Sequence, residues 1–161
     1  MAVLTCQELG FPALQTLLER FGLSLTVVEE HAPIPGSWFG EPEAGVIKTS
    51  VLVRGDTPVH SALHEACHVI CMDESRRAEL HTDTGGDYDE ENAVCFLQIL
   101  LAEQLNGMSS KRMMSDMDEW GYTFRLGSSR AWFEEDADDA REWLLQHKLI
   151  EADLSLRWRL R

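Results

Sequence analysis

Two histidines and a glutamate stand at a spacing that suits metal chemistry: His64, Glu65 and His68 form the pattern H-E-x-x-H. On an α-helix, residues four apart lie on the same face, so both imidazoles can reach one zinc ion. Glu65 is rotated about 100° from His64, which keeps its carboxylate out of the ligand set but near a water molecule. The pattern therefore predicts His64 and His68 as zinc ligands and Glu65 as the general base.

A third protein ligand is expected, because catalytic zinc commonly takes three and leaves one position open. The residue six positions after His68 is Glu74 rather than histidine, which argues against a metzincin arrangement. The segment that begins at Glu90 starts with carboxylates and continues as an apolar run. A helix of this composition buries its body and can direct a carboxylate at its neighbour. Glu90 is the predicted third ligand; Glu91 is the first alternative, and Asp87 and Asp89 also compete for this role.

Other donors near this pattern leave a second kind of site open. Cys71 falls close to the direction of His64 on the helix, so His64, His68 and Cys71, with Cys95 nearby, would make a closed structural zinc site. His60 lies one turn before His64 on the same face, but a first-turn histidine is expected to be partly exposed, and we leave it out of the ligand set. Three residues are candidates for stabilising a reaction oxyanion, namely Tyr88, Tyr122 and His81.

The elements that must position these residues can be read from capping and periodicity. Asp56-Thr57-Pro58 predicts a helix start, with Asp56 as the capping side chain, and the helix is expected to run to about Met72. A second long helix is predicted from Glu90 to about Leu105, after a polar loop. The remaining predicted elements are a helix over 11–22, strands over 23–27 and 45–53, and helices near 111–120 and 128–147. This order predicts an α+β domain with a small mixed sheet and a helical C-terminal half.

The two predicted helices together resemble the minigluzincin peptidases of the ImmA/IrrE type. That family combines a short strand region and an H-E-x-x-H helix with a helix of the pattern E-x-x-A-N-x-F-x-x-x-L-L. The family's Glu, Ala, Phe and paired Leu positions are filled here by Glu90, Ala93, Phe96, Leu100 and Leu101, whereas Val94 stands at the usual Asn and no Met-Pro follows. The resemblance spans roughly residues 45 to 105.

The resemblance implies a zincin-like metallopeptidase fold, zinc ligation by His64, His68 and Glu90, and a general base at Glu65. It also implies proteolysis of a protein or peptide substrate, which in several members is a helix-turn-helix repressor. The competing function is a catalytically silent zinc-binding regulatory or protein-interaction module, since fold and ligands do not guarantee turnover. A strand edge within 46–53 is a further candidate, for aligning an extended substrate.

Size, charge and cysteine usage set the remaining expectations. With 161 residues, the chain is predicted to form a single domain over 1–161. The 28 acidic side chains exceed the 14 basic ones, and the net charge of −14 disfavours nucleic-acid binding. No apolar run approaches the roughly 18 residues of a membrane span. A secretory signal begins with a basic region, and no Lys or Arg precedes Arg20. Four scattered cysteines suit a reducing compartment, so a cytoplasmic protein is expected.

Overall fold

A computed structural model describes residues 2–37 and 40–161 of the chain. Helices and strands both occur in these ranges, so the predicted α+β class is confirmed. In the described ranges, no helix combines the length and apolar character needed to cross a bilayer. The elements in chain order are α1 (Cys6–Leu9), α2 (Phe11–Glu19), β1 (Ser24–Val27), β2 (Gly45–Ile47), β3 (Ser50–Val53), α3 (Val59–Cys71), α4 (Glu74–Ala78), α5 (Tyr88–Ala102), α6 (Ser110–Trp120), α7 (Ser129–Glu135) and α8 (Asp138–Gln146).

The three strands form one small mixed sheet with β3 in the centre. β3 runs parallel to β1 and antiparallel to β2, so that Val51 lies beside both Leu25 and Val46. The outer side of β2 is occupied: the Lys48 amide donates to the carbonyl of Leu80, and the Thr82 amide donates to the carbonyl of Val46. The expectation of a free strand edge within 46–53 is therefore wrong for β2, because the chain's own residues 80–82 already take its hydrogen bonds.

Helix α3 packs between the sheet and α5, and other helices enclose the body of α5. α3 contacts β2 and β3 with one side and α5 with the other, while α5 also contacts α6 and α8. From Ala93 to Ala102 every residue of α5 is buried except Leu100, which is half-buried. An apolar run without a polar face is typical of such a helix, because it meets protein on all sides. The core therefore joins the two helices that carry the predicted site.

The start of α3 differs in detail from the prediction. Pro58 is the N-cap residue, and no side chain caps the helix. The carboxylate of Asp56 instead accepts two hydrogen bonds from the guanidinium of Arg54, both at 2.8 Å. The hydroxyl of Thr57 accepts the Arg54 amide. These side chains thus stabilise the turn between β3 and α3 rather than the first turn of the helix.

Two further elements differ from the sequence-based expectation. The polar loop after α3 contains α4, whose first turn is capped by Asp73 through a hydrogen bond from the Arg76 amide. The helix predicted over 128–147 is two helices, because Asp136 and Ala137 leave helical geometry between α7 and α8. The Asp136 carboxylate pairs there with Arg125. No Gly or Pro marks this break, so the periodicity alone does not reveal it.

Candidate metal centre

Two histidines of α3 converge on one carboxylate of α5. The Nε2 atom of His64 lies 3.0 Å from Oε1 of Glu91, and the Nε2 atom of His68 lies 3.0 Å from Oε2 of the same residue. The two imidazoles meet edge to face, with ring centroids 4.8 Å apart. One donor atom from each of the three residues can be chosen so that all lie within 4.8 Å of one another. This close His-His-Glu group can bind a metal ion.

The chemistry of the donor set fits a divalent cation. Burial disfavours the protonated form of His64, but hydrogen bonds with Cys95 and Glu91 outweigh this effect and raise its pKa well above the ordinary value. Hydrogen bonds from His64 and His68 lower the pKa of Glu91 far below its usual range. Two imidazole nitrogens and an ionised carboxylate are a common ligand set for such ions. A bound cation would take the place of the protons that link these groups in its absence.

The buried amide of Gln98 orients His64 for this role. Gln98 Nε2 lies 2.9 Å from the carbonyl oxygen of His60 and must donate to it, so Oε1 is the end that faces Nδ1 of His64, at 2.9 Å. An amide oxygen only accepts, and Nδ1 of His64 therefore carries the proton. Once a metal ion displaces the second proton of His64, the lone pair is therefore on Nε2, the atom that faces Glu91, as metal ligation requires. Within residues 2–37 and 40–161, the Nδ1 atom of His68 is buried without a hydrogen-bond partner.

Glu90, the predicted third ligand, does not lie with the histidines. Its carboxylate is buried and accepts two hydrogen bonds from Arg76, at 2.8 and 2.9 Å. Adjacent residues of a helix point about 100° apart, so only one of two neighbouring glutamates can face α3. The phase of α5 gives that position to Glu91, and the choice of Glu90 from the sequence pattern is corrected accordingly.

Glu65, the predicted base, lies on α3 beside the group. Its side chain is half-buried. Burial raises the pKa of its carboxyl, while the neighbouring His64 and His68 act in the opposite direction. Glu65 is thus close enough to both histidines to interact with their charge, but it is not one of the three converging residues. This placement leaves its carboxylate available to a water molecule or a substrate.

Of the three candidates for oxyanion stabilisation, Tyr122 is the one that contacts the histidines. Its ring stands nearly perpendicular to that of His64, with centroids 5.6 Å apart. Gly121 ends α6 in the left-handed region, at φ 109°, and the Tyr122 amide then donates to the carbonyl of Met117. This turn directs the tyrosine back towards α3. Tyr88 is 78% exposed at the start of α5, and His81 is exposed in a bridge with Ile47 beside the sheet.

His60 is fully enclosed, and the expectation of a partly exposed histidine is wrong. Its Nδ1 atom lies 3.2 Å from the hydroxyl of Tyr122, and the ring of Trp120 packs against it at 5.1 Å between centroids. Burial lowers its pKa to about 4, so the imidazole is neutral at physiological pH. Its Nε2 atom is buried and has no hydrogen-bond partner among the residues that the structure describes. Buried N–H groups are rarely left unpaired, which favours the tautomer in which Nδ1–H donates to Tyr122 and leaves the phenol hydrogen free.

No cysteine belongs to the converging group, although Cys95 contacts His64 from α5. Cys67 and Cys71 are completely buried, and burial raises the pKa of both thiols, which disfavours the thiolate that a metal needs. Cys71 lies outside the group formed by His64, His68 and Glu91. The structure therefore does not assemble the closed site with Cys71 that the sequence left open.

The sequence analysis did not identify Gln98 as a partner of His64 or His60 as a partner of Tyr122. A polar residue that interrupts an otherwise apolar helical run is a usable signal for Gln98, because a buried amide needs partners.

Comparison of the chain with protein-family models, with curated proteins and with solved structures finds no match.

Proposed function

We propose that this chain is a zinc-dependent metallopeptidase with a zincin-like fold, similar to the ImmA/IrrE type, that hydrolyses peptide bonds of a protein substrate. His64, His68 and Glu91 are the proposed zinc ligands. The observation that carries the proposal is the convergence of both Nε2 atoms on the two oxygens of one carboxylate, each at 3.0 Å. Glu65 follows His64 on the same helix, where the H-E-x-x-H pattern puts its base.

The chain's own residues divide the work of peptide hydrolysis. A zinc ion held by the three ligands would polarise the scissile carbonyl and lower the pKa of water towards about 7. Glu65 takes the proton of the attacking water and returns it to the departing amine. The free phenol hydrogen of Tyr122 donates to the carbonyl oxygen as that oxygen gains negative charge. Gln98 keeps His64 in the tautomer that presents Nε2.

The substrate class and the compartment belong to the same proposal. The resemblance to the ImmA/IrrE type points to a protein substrate, with a transcriptional repressor as one form of it. The four cysteines are buried free thiols, which suits a reducing compartment such as the cytoplasm. The net charge of −14 makes a polyanionic substrate unfavourable.

The proposal is tested by separating metal binding from turnover. Protein purified without added metal is expected to contain about one zinc per chain, and His64→Ala is expected to lose it. Glu65→Gln is expected to keep the zinc and to lose cleavage of unfolded protein substrates such as carboxymethylated casein. Glu43→Gln is the matched control, because Glu43 is exposed, lies within the electrostatic reach of Glu65 and undergoes the same change of charge. Equal cleavage before and after Glu65→Gln would refute the assigned base.

A zinc-binding module without turnover is the second candidate, and one observation favours it. The outer side of β2 is already paired with residues 80–82, which removes one place where an extended peptide can add a strand. A protein that binds one zinc per chain but cleaves no unfolded protein or peptide library would support this candidate over the peptidase.

A further inference from the structure

Glu90, which precedes the proposed ligand Glu91, is paired with two arginines. Glu90 is 3% exposed, and its two carboxylate oxygens accept hydrogen bonds from Nη1 and Nη2 of Arg76 at 2.8 and 2.9 Å. Nη1 of Arg161 approaches the same carboxylate at 3.5 Å. Arg76 also donates to the carbonyl of Thr84 at 2.7 Å. We call Arg76, Glu90 and Arg161 the arginine clamp.

The clamp reaches the end of the helix that carries both histidines. The Arg161 amide donates to the carbonyl of Ile70 at 3.0 Å, and its guanidinium donates to the carbonyl of Cys71 at 3.2 Å. Ile70 and Cys71 are the last two residues of α3. Helix C-terminal carbonyls lack partners within the helix, and cationic side chains are favoured there. The clamp therefore links the C-terminal end of α3 to the first turn of α5.

The loop before α5 is shaped to admit the buried carboxylate. Gly86 has φ 96°, and a Cβ atom at this position would lie 2.2 Å from Oε2 of Glu90. Any side chain there would displace Glu90 from Arg76. An unpaired buried carboxylate is costly, so the close approach of the loop and the two-pronged hydrogen bonding by Arg76 belong to one arrangement.

Glu91 has little else to hold it in place. Its side chain is 48% exposed, and the contacts recorded for its carboxylate are those with the two histidines. The residues before Glu90 in this turn, Tyr88 and Asp89, are exposed and pack against no core. Besides the buried body of the helix, two contacts hold the first turn of α5: the cap by Asp87, which accepts the Glu90 amide, and the Arg76 contact with the Glu90 carboxylate.

We propose that Arg76 is a positioning residue for the metal centre: by holding Glu90, it fixes the rotation of the first turn of α5 and so directs Glu91 at His64 and His68. This inference rests on the proposed function, because it gives the Glu91 carboxylate the role of a ligand. It also assigns a role to Glu90, which matches the family pattern but is turned away from the histidines.

The test measures metal affinity and coordination geometry rather than turnover. Zinc dissociation constants are obtained by competition with a chromophoric chelator, and the visible absorption of the cobalt(II) form reports the geometry of the ligands. Arg76→Met, which keeps the apolar stem, is expected to weaken zinc binding about 10- to 100-fold and to change the cobalt spectrum. Arg76→Lys is expected to recover part of the affinity, since it restores the charge without the two-pronged contact. Arg130→Met, which removes an exposed arginine from α7, is the matched control and is expected to change neither reading.

A double variant separates positioning from stability. Arg76→Met leaves the Glu90 carboxylate buried without its main partner, whereas Arg76→Met with Glu90→Leu removes both partners. The double variant is expected to recover resistance to urea while its zinc affinity stays low, because Glu91 is still undirected. Recovery of zinc affinity together with stability would overturn the proposal, as would an unchanged affinity and cobalt spectrum in Arg76→Met.

The same measurements distinguish failure of the proposed function from failure of the positioning role of Arg76. If the unaltered chain binds neither zinc nor cobalt, the metal centre itself is wrong, and the role of Arg76 is refuted with it. If the unaltered chain binds both ions and the Arg76 variants bind them equally well, the metal centre stands and only the positioning role is refuted.

Discussion

Three histidines lie one helical turn apart on the same face of α3, and the structure gives them two different environments. His64 and His68 face the carboxylate of Glu91 on α5. His60 faces Trp120 at the end of α6 and Tyr122 just beyond it, and one of its nitrogens has no hydrogen-bond partner in the described part of the chain. The spacing of histidines along one helix therefore defines a face, whereas the neighbouring element decides which of them can share an ion.

The two histidine environments differ in charge as well as in geometry. The hydrogen bonds from His64 and His68 keep the Glu91 carboxylate ionised, and a metal cation can take the place of the hydrogens in these contacts. His60 has no carboxylate in contact, and burial keeps it neutral. The same residue type is thus a proposed ligand at two positions and a hydrogen-bond donor to a tyrosine at the third.

The largest expected effect comes from removing the carboxylate that distinguishes the two environments. Glu91→Gln is expected to raise the zinc dissociation constant at least about 100-fold, because a neutral amide is a poor zinc ligand. Chelator competition measures the change. Glu119→Gln, an exposed glutamate of α6, makes the same change of charge and is expected to bind zinc as the unaltered chain does. Full zinc affinity in Glu91→Gln would show that α5 does not select the ligands.

The second prediction concerns the buried neutral histidine and pH. The pKa of His60 is lowered to about 4 in the folded chain, against about 6.5 when unfolded, so its contribution to stability is complete above pH 6.5 and is lost as the pH falls towards 4. Between pH 7 and pH 5 the loss is about 2 kcal/mol, or roughly 30-fold in the unfolding equilibrium. Asp116 opposes the lowering of the pKa, and His64 adds to it.

His60→Leu isolates this contribution. Urea unfolding at pH 7 and at pH 5 gives the fall in the free energy of unfolding for the metal-free unaltered chain and for the variant. This fall is expected to be about 2 kcal/mol smaller in the variant. Equal losses would contradict the neutral, enclosed state of His60. His31→Leu is the control, because His31 is an exposed histidine in a loop.

The third prediction addresses the residue that contacts both environments. Gln98→Met removes the acceptor for Nδ1 of His64 and the donor to the His60 carbonyl while keeping the volume of the side chain. A loss of zinc affinity of about tenfold is expected, since partners that orient a ligand contribute on this scale. Gln104→Met, an exposed change just after α5, is expected to have no effect on the same titration.

The smallest expected effect tests the role of Tyr122. In the zinc-loaded protein, acetohydroxamate serves as a probe whose oxygen takes the position of a polarised carbonyl. Tyr122→Phe is expected to weaken its binding about fivefold, the value of one hydrogen bond, with zinc affinity unchanged. Tyr88→Phe removes the hydroxyl of the other, exposed tyrosine and is expected to leave probe binding as it was. Equal probe binding in Tyr122→Phe would remove Tyr122 from the proposed mechanism.

The fold class and the shared face of the two histidines depend on local periodicity and were predicted correctly from the sequence, whereas the capping side chain of α3 was not. The α+β class follows from strand-like alternation near residue 25 and helical periodicity after residue 58, which are properties of short segments. The shared face of His64 and His68 is equally local, because the helix alone determines it. The break between α7 and α8 was missed, since Arg125 and Asp136 meet across a loop that no periodicity records.

Glu91, the third residue of the metal group, shows why the remaining features of the site could not be predicted from the sequence. The choice between Glu90 and Glu91 depends on the rotation of α5, which follows from its packing against α3, α6 and α8 and from the pairing of Glu90 with Arg76, 14 residues earlier in the chain. The burial of His60 depends in the same way on Trp120 and Tyr122, some 60 residues later. Patterns within one helix carry no information about such contacts. Only the interruption of an apolar run by Gln98 hinted at them.

The enclosure of α5 has a consequence for deuterium exchange. Its amides from Val94 to Leu101 lie on turns surrounded by α3, α6 and α8, so they exchange when the whole domain opens and thereby report its global stability. In its first turn Tyr88, Asp89 and Glu91 are exposed whereas Glu90 is buried, so this turn can open without the rest of the helix when the contact of Glu90 with Arg76 breaks. Mass spectrometry of peptides from this single helix, with and without zinc, thus distinguishes ordering of the ligand turn from slower opening of the whole domain.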